Sequence, residues 1–290
     1  MNKITFALGK TSISQHFLKS DFAKNYCDHQ AIAPIHQAFR PMTENIAFDA
    51  SEMAIVTAMQ AVDHGRDIVP LPITVASRVQ HKCIIQNANF TALSPKKLEG
   101  KKVAVRAYSQ TTGAWVRAVL ETEFDVDCTT ITWITQNPPH VADAPEPANV
   151  WRDPNGKSTL EQLSNGLVDA AIFGNDLPTD SWAKPVIDNA DAVGRASLEK
   201  SGLIQINHVI AVSRRLFDQS PSTIKALFDA FRDARALLPI DDQKMLPIGK
   251  AEMEQSINIL AQSAFNQGLT TKTLSFDDIF GDATAVTNQR

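Results

Sequence analysis

The sequence predicts an α/β protein made of two lobes that are joined by two chain crossings and separated by a cleft. Three observations predict this fold class. Short β-branched runs alternate with helical patterns in the first part of the chain. A second block of alternating strands and helices spans residues 92–202, and an apolar run at 203–212 then leads the chain into helices. The predicted domains are residues 1–91 plus 203–290, a discontinuous lobe 1, and residues 92–202, lobe 2.

The composition places the chain among ordinary globular proteins. Its 290 residues suffice for two hydrophobic cores, with 43% hydrophobic and 21% charged residues and a formal net charge of -4. We expect no nucleic-acid partner, because no dense Lys/Arg cluster is present, and no membrane partner, because no apolar run is long enough to span a bilayer. The beginning of the chain is too soon interrupted by Gly9-Lys10 for a secretory signal, so we expect a cytoplasmic protein.

The three cysteines indicate neither a disulfide framework nor a metal site. Cys27, Cys83 and Cys128 are scattered and lack metal-ligand spacing, which favours reduced thiols. The histidines and carboxylates also lack a close metal-binding spacing such as His-x-x-x-His. We therefore predict no metal within such a motif, whereas a metal assembled from residues of both lobes is left open.

Lobe 1 begins with alternating strands and a helix. Ile4–Leu8 is a predicted strand, and Ser12–Lys24 is a predicted helix because its apolar residues recur at a spacing of four. Two further strands are expected at Ala31–Ile35 and Ile46–Phe48.

Glu52 follows the last of these predicted strands. Asp49 or Ser51 can cap a helix that runs to about His64, and Glu52 would then lie in its first turn. A carboxylate is favoured there by the helix dipole. Without further information, support of the helix start is the simplest role for Glu52.

A polar segment, Ser77–Lys82, lies between two extended runs, Ile68–Val75 and Cys83–Ile85. If the segment is extended, Arg78 and His81 face opposite ways, so they share a site only if the chain turns. Surface residues of these types are more often solvated than catalytic.

Lobe 2 is organised around a strand, a polar loop and a helix. Val103–Arg106 is a short β-branched run, residues 108–112 are rich in hydroxyl groups, and Trp115–Leu120 carries apolar residues at helical spacing. Ligands of open α/β sheets gather beyond the carboxyl ends of the strands, where a helix start offers unpaired N–H groups to an anion.

The polar loop is the strongest candidate for a ligand-binding segment. Thr111 or Thr112 could cap the helix, which leaves Tyr108, Ser109 and Gln110 facing a ligand. The alternative from local pattern alone is a capped helix with a solvated loop.

The remaining elements complete both lobes. The proline-rich segment Gln136–Pro154 must be mostly irregular and is either functional or mobile; within it, His140 is a lid residue or, more simply, exposed. His208 lies in the middle of a long apolar run, where a lone histidine is usually a core residue. The other predicted strands are Thr130–Ile134, Asp169–Phe173, Ala183–Ile187 and Gly202–Val212, and the other predicted helices are Ser158–Gly166 and Asp191–Lys200. From Leu216 the pattern is helical, with one helix that starts at Ser220–Ser222 and runs through Leu237, another within Asp241–Phe265, and a frayed tail from Gly281.

Six motifs within residues 45–215 resemble those of a known family. They are Phe48–Met53, Ser77–His81, Leu98–Val105, Tyr108–Arg117, Val168–Ile172 and Ile206–Val209. Phe48–Met53 is similar to an Asp-x-x-Glu-Met element of that family, and Ser77–His81 is similar to its Arg-x-x-His segment. Tyr108–Arg117 is the most specific of the six motifs. With the layout of the chain, they resemble the type 2 periplasmic-binding-protein fold and, within it, the 4,5-dihydroxyphthalate decarboxylase-like family.

The chain departs from this family near its beginning. Family members tend to carry a Tyr-Asp-Arg-Thr-Arg-like segment after the first strand, whereas this chain has Leu8–Ser14 there. If those arginines hold a substrate carboxylate, this protein has lost that clamp and takes a different acid.

The resemblance implies a carboxy-lyase of aromatic catabolism, acting on a hydroxylated, phthalate-like dicarboxylic acid without a cofactor. Such a reaction needs no electron sink when a ring hydroxyl feeds electron density into the ring. The enzyme must protonate the ipso carbon, hold the carboxylate and draw off the phenolic proton. Histidine is the usual general acid near neutral pH, and the planar guanidinium of arginine suits a carboxylate.

The residues can be assigned to these roles as follows. We expect His81 or His208 to be the proton donor and Glu52 to polarise a phenol or orient a histidine. Substrate binding is assigned to the two clamping arginines and the polar loop, namely Arg78, Arg106, Tyr108, Ser109, Gln110, Thr111 and Thr112.

Two other functions use the same cleft. One is a non-catalytic binding protein for a small carboxylate, either a transport receptor or a cytosolic sensor, because a fold does not determine a function. The other is a different cleft enzyme of this fold, similar to menaquinone- or thiamine-pathway proteins. The expected partner is a small aromatic carboxylate, and homo-oligomerisation is left open.

Overall fold

Two β-sheets, each flanked by helices, form the framework of the protein. The computed structural model describes residues 3–90 and 92–287. Its strands are β1 (Ile4–Ala7), β2 (Cys27–Gln30), β3 (Ala50–Ala54), β4 (Ile68–Ser77), β5 (Ile84–Asn87), β6 (Lys102–Val105), β7 (Thr132–Thr135), β8 (Val150–Arg152), β9 (Ala170–Ile172), β10 (Ala183–Pro185) and β11 (Ile206–Ser213). Its α-helices are α1 (Ser12–Phe17), α2 (Asp21–Tyr26), α3 (Phe39–Asn45), α4 (Ile55–Asp63), α5 (Thr111–Phe124), α6 (Thr159–Ser164), α7 (Ala190–Ser201), α8 (Arg214–Gln219), α9 (Pro221–Ala236), α10 (Ile240–Met245), α11 (Lys250–Asn266) and α12 (Phe276–Thr287).

The strand order defines two lobes. The first sheet has the order β2-β1-β3-β11-β4, in which β1 is parallel to β2 and β3, and β11 is antiparallel to β3 and β4. The second sheet has the order β10-β5-β9-β6-β7-β8, with β6 parallel to both neighbours. The chain crosses between the sheets twice, after β4 and before β11. The predicted two-lobed α/β fold with two crossings is confirmed.

The first crossing lies earlier in the chain than the sequence indicates. β5 is antiparallel to β9 and β10, so it belongs to the second sheet. The predicted boundary after residue 91 falls beyond β5, whereas the chain leaves the first sheet after Ser77. The polar segment that begins there is therefore the connection between the lobes.

The chain before and around Glu52 differs from the predicted elements. Residues 39–45 form α3, which ends at Ile46 in a left-handed conformation (φ 48°), so Ile46–Phe48 is no strand. Residues 50–54 instead form β3, in which every residue is buried. Glu52 therefore lies in a central strand and not in the first turn of a helix. A strand that is buried on both faces lacks the polar–apolar alternation by which a strand is recognised.

The earlier part of lobe 1 also needs two corrections. The predicted helix Ser12–Lys24 is divided into α1 and α2, because the side chain of Ser20 caps a new helix by accepting the N–H of Ala23 at 3.1 Å. The second strand is β2, parallel to β1, and not Ala31–Ile35.

One hydrophobic core extends through both lobes. It includes Met59 of α4, Val103 of β6, Trp115 of α5 and Leu260 of α11, all buried. The two lobes therefore share packed side chains beside the connecting segments. No helix within residues 3–90 and 92–287 combines the length and the apolar character that crossing a membrane requires.

The predicted frayed tail is instead a packed helix over its described residues. α12 packs against β4 and α9, and Phe280 and Ala283 are fully buried. The helix starts at Phe276, before the predicted tail, so its buried face is only visible when residues 276–287 are considered together.

We predict that Ala283→Asp lowers the free energy of unfolding by about 3 kcal/mol, because it buries an unpaired carboxylate against this core. Ala285→Asp introduces the same charge at an exposed position of the same helix and should change stability by less than about 0.5 kcal/mol. Urea denaturation of both variants measures the difference. Equal effects would mean that α12 does not pack as described.

Candidate functional site

A cavity of about 1140 Å³ lies between the two lobes. It is bounded by the carboxyl ends of β3, β4, β6 and β9 and by the first residues of β11. This is the position at which open α/β sheets bind ligands. The cavity is large enough for a small organic ligand.

The turn between β6 and α5 lines the cavity with polar groups. Gln110 is the N-cap of α5 and makes no side-chain capping bond. Ser109 Oγ and Gln110 Oε1 are buried and have no hydrogen-bond partner among the described residues. The N–H groups at the start of a helix have no partner within it, so this turn is suited to an anion.

The two threonines that were expected to cap α5 make other contacts. Thr111 Oγ1 accepts the N–H of Val56 at 3.3 Å, and Thr112 Oγ1 accepts Nη2 of Arg78 at 2.8 Å. Both residues line the cavity. The expectation that one of them caps the helix is wrong, because Gln110 takes the N-cap position and both threonines lie within the first turn of α5.

Arg78 lies in the first connection between the lobes and reaches into the cavity. Its Nε donates to Gln80 Oε1 at 3.2 Å, and its Nη1 donates to Asn175 Oδ1. No carboxylate lies within ion-pair distance of Arg78 in residues 3–90 and 92–287, although Asp176 also lines the cavity. Neutral partners thus orient the guanidinium and leave its charge available to a ligand.

Arg106, at the carboxyl end of β6, adds a second positive charge to the cavity. Its Nη1 lies 2.7 Å from His36 Nε2, which must accept this hydrogen bond because an arginine has no acceptor atom. Burial lowers the pKa of Arg106, but an arginine remains charged near neutral pH. Burial and the charge of Arg106 lower the pKa of His36, which favours its neutral form.

His208 and Glu52 form a hydrogen-bonded pair at the wall of the cavity. The antiparallel register sets Ala54 opposite His208 and Ile210 opposite Glu52, so the two side chains are diagonal neighbours on one face of the sheet. His208 Nδ1 lies 2.6 Å from Glu52 Oε1. Glu52 is 1% exposed, whereas the His208 side chain is 24% exposed and lines the cavity. A carboxylate on Nδ1 leaves Nε2 for a ligand and holds the ring in one orientation.

Gly9 completes the environment of Glu52. Its N–H donates to Glu52 Oε2 at 2.8 Å, and a Cβ at this position would lie only 2.9 Å from the same oxygen. A side chain larger than hydrogen would therefore displace the carboxylate from the amide and from His208.

His140 is a buried wall residue and not an exposed residue of a lid. Its Nδ1 lies 2.9 Å from Thr57 Oγ1. The ring of Phe39 makes edge contacts with His140 and His208, with ring centres 5.4 and 5.3 Å apart. Burial, followed by the charge of Arg106, lowers the pKa of His140 to about 4, so the imidazole is neutral at pH 7.

The proline-rich segment that carries His140 is fixed to lobe 1. The N–H of Ala142 donates to Glu44 Oε1 at 3.1 Å, and Asp143 pairs with Arg66. These contacts hold one wall of the cavity in place. The structure therefore gives this long irregular segment a role in shaping the cavity.

Three predicted site residues, Glu52, His81 and Tyr108, do not line the cavity, and of these only Glu52 contacts a residue that does, His208. His81 is 1% exposed, and its Nε2 lies 2.9 Å from Glu123 Oε2 on the far side of α5. The Tyr108 hydroxyl donates to the carbonyl of Gln267 at 3.1 Å, within the core. The chain turns after Arg78, which separates His81 from the arginine with which it was expected to act.

Sequence reasoning missed His36 and Phe39 as residues of the cavity. Both lie between β2 and β3, in a part of the chain whose predicted elements were wrong. No motif or spacing in the sequence points to them. Within residues 3–90 and 92–287, no group of three or more His, Cys, Asp or Glu side chains is arranged to hold a metal ion.

The low pKa of His140 predicts a loss of stability in mild acid. The folded protein holds this imidazole neutral down to about pH 4, whereas the unfolded chain takes up a proton near pH 6.5. Stability is therefore complete above pH 6.5 and falls as the pH is lowered towards 4, by at most about 1.4 kcal/mol per pH unit from this group.

Denaturant unfolding between pH 7 and pH 4.5 measures this dependence. His140→Gln keeps a side chain that can hydrogen-bond to Thr57 but cannot titrate, so its stability should fall less steeply with acid than that of the wild type. Parallel curves for the two proteins would contradict the assigned role of His140. The comparison uses slopes, so a constant destabilisation by the substitution does not affect it.

A comparison of the sequence with known proteins identifies a distant relative. No protein-family model matches the chain. It is 25% identical over 181 residues to 4,5-dihydroxyphthalate decarboxylase from Comamonas testosteroni, a match that covers 58% of this chain and 54% of that protein. The matched region thus spans about half the length of this relative.

Solved structures with a similar fold are mainly binding proteins. The alkanesulfonate-binding protein SsuA from Xanthomonas axonopodis pv. citri, bound to MOPS, superposes with a TM-score of 0.60 at 14% identity, covering 98% of both chains. The periplasmic aliphatic sulphonate binding protein SsuA from Escherichia coli has a TM-score of 0.57 at 15% identity, over 96% of this chain and 92% of that one. The desulfurization enzyme DszB has a TM-score of 0.50 at 15% identity, over 99% and 90%.

Similarity at these identities establishes the fold, while the sequence match identifies a distant relative. The chain has the two-lobed type 2 periplasmic-binding-protein fold and is distantly related to 4,5-dihydroxyphthalate decarboxylase.

Proposed function

We propose that the protein is a cofactor-independent decarboxylase of a hydroxylated, phthalate-like aromatic dicarboxylic acid, which it binds in the interlobe cavity. The observation that carries this proposal is His208, which is bonded to the buried Glu52 and lines a cavity that also contains two arginines with no carboxylate in ion-pair distance among the residues described. The distant relationship to a decarboxylase supports it.

The cavity offers two positions for negative charge. Arg78 and the start of α5 form one, and Arg106 with the neutral His36 forms the other. Neither guanidinium group has a carboxylate within ion-pair distance among the described residues, so the two favour a ligand with two negative charges over one with a single charge; Asp176, which also lines the cavity, offsets part of their charge from a distance. Ser109 Oγ and Gln110 Oε1, which have no hydrogen-bond partner in the part of the chain that the structure describes, can bind hydroxyl groups of the ligand.

His208 is the proposed proton donor. Its protonated Nε2 transfers a proton to the ipso carbon, and the bond from that carbon to the carboxylate then breaks, releasing CO₂ while its electron pair restores the aromatic ring. A hydroxyl group on the ring supplies the electron density that makes the carbon basic. His208 is left neutral and regains a proton from solvent.

Glu52 acts on the reaction through His208 in this proposal. It is buried behind the ring and bonded to Nδ1, so it orients the imidazole with Nε2 towards the cavity. Of the two expected roles for Glu52, orientation of a histidine is the one we retain. His81 is removed from the list of proton donors because it lies outside the cavity.

The second candidate function is a non-catalytic binding protein for a small carboxylate. It is favoured by the same pair of arginines and by the open start of α5, which suffice to hold an anion without any proton transfer. Cytoplasmic residence and the oligomeric state stay predictions from the sequence.

We predict that the purified protein releases CO₂ from 4,5-dihydroxyphthalate or from a close relative in a panel of aromatic dicarboxylic acids. His208→Gln should lower the single-turnover rate by about 100-fold or more, because it removes the general acid. Glu52→Gln should lower it in the same direction, since it weakens the bond to Nδ1.

His81→Gln is the matched control, because it changes a buried histidine that lies outside the cavity and should keep the rate within about threefold of the wild type. Equal rates for wild type and His208→Gln would overturn the assignment of the proton donor. Saturable stabilisation against heating with no CO₂ released from any acid of the panel would support the binding protein.

We predict that Arg106→Met raises the dissociation constant of the bound acid by about 10- to 100-fold, the value of a lost charge-assisted hydrogen bond. Arg195→Met is the control, because Arg195 is an exposed residue of α7. Isothermal titration measures both constants. An unchanged constant for Arg106→Met would remove this residue from the binding site.

A further inference from the structure

The guanidinium of Arg117 lies behind the turn that lines the cavity. Arg117 is fully buried on α5, and its side chain points back towards the start of the helix. Its Nη2 donates to the carbonyl of Tyr108 at 2.8 Å, and its Nε donates to Gln267 Oε1 at 2.7 Å. Its Cζ lies 3.9 Å from the centre of the Tyr108 ring.

The charge of Arg117 is not neutralised by an ion pair. No carboxylate lies within 4.0 Å of it in the part of the chain that the structure describes. The acidic groups that act on it without an ion pair are Tyr108, Cys128 and Glu121, and burial raises the pKa of each of them. The Nη1 atom is buried and lacks a hydrogen-bond partner among these residues. An unpaired buried cation is unfavourable for folding unless another interaction offsets it.

Arg117 acts directly on the peptide groups of the turn. The Tyr108 carbonyl belongs to the same peptide unit as the N–H of Ser109, a residue that lines the cavity. A hydrogen bond from a cation to the carbonyl polarises this unit and makes its N–H a stronger donor. In the first turn of α5, a Cβ on Gly113 would lie 3.3 Å from Nη1, so the close approach of the guanidinium depends on that glycine.

Gln267 fixes this arrangement from the other lobe. Its carbonyl accepts the Tyr108 hydroxyl, its Oε1 accepts Nε of Arg117, and its Nε2 donates to the carbonyl of Ala114 at 3.0 Å. The end of α11 thus holds both the arginine and the start of α5.

We propose that Arg117 is a positioning residue of the anion site, which holds and polarises the turn at residues 108–112 and adds positive potential behind it without touching the ligand. The preference of the cavity for an anion over a neutral analogue then depends on this charge. The inference rests on the proposed function only in that the cavity binds an anion; it does not require decarboxylation.

The test uses the full chain and two probes of similar shape, phthalate and the neutral phthalamide, in isothermal titrations. Arg117→Met removes the charge and should weaken phthalate binding on the order of tenfold, with phthalamide changed by less than about twofold. Arg117→Lys restores the charge and should recover most of the preference for phthalate. Arg195→Met is the control: it removes the charge of an exposed arginine on α7, away from the turn, so it should leave the preference unchanged.

A purely structural role for Arg117 gives a different result, in which Arg117→Met weakens both probes equally or neither. That result overturns the inference and leaves the proposed function standing. If Arg117→Met does not fold, the test rests on Arg117→Lys. A loss of the preference for phthalate over phthalamide in this variant, which retains the positive charge, also overturns the inference. Failure of the wild type to bind phthalate overturns this inference and the proposed function together. Charge-dependent binding without release of CO₂ from the dihydroxylated acid supports the inference and contradicts only the decarboxylase.

Discussion

The pairing of β3 with β11 is the constraint on which the candidate site depends. β3 precedes the first crossing between the lobes, and β11 follows the second, so Glu52 and His208 are 156 residues apart in the chain. The antiparallel register brings them to neighbouring positions on one face of the sheet, at the edge of the cavity. The bond between Glu52 and Gly9 then ties the first strand to the same place.

The distribution of charge in the cavity indicates the kind of ligand that fits it. Arg78 and Arg106 are held by neutral partners; burial lowers the pKa of His36, which favours its neutral form, and lowers the pKa of His140 to about 4, so that this imidazole is neutral at pH 7. The cavity therefore presents two fixed cations that no protein carboxylate neutralises within ion-pair distance, among the residues described. Burial of such charges costs free energy in the protein without a ligand, and binding of an anionic ligand offsets this cost.

The motifs with a strong local pattern were predicted correctly from the sequence. β6, the polar loop and α5 follow from a β-branched run, hydroxyl-rich residues and helical spacing, and four of the five predicted loop residues line the cavity. Tyr108 is the exception, since nothing in the local sequence shows that its hydroxyl is bonded to Gln267. The sequence pattern predicted a helix start at Glu52 instead of strand β3, because a strand that is buried on both faces shows no alternation of polar and apolar residues.

The sequence by itself determined the α/β class, the two crossings and the polar loop at the start of α5, because periodicity and turn-forming residues act over short distances. Only the tertiary structure decided which histidines face the cavity. His208 and His140 enter it through strand register and through contacts between the lobes, while His81 leaves it because the chain turns after Arg78. These choices depend on residues far apart in the chain, whose proximity no local pattern encodes.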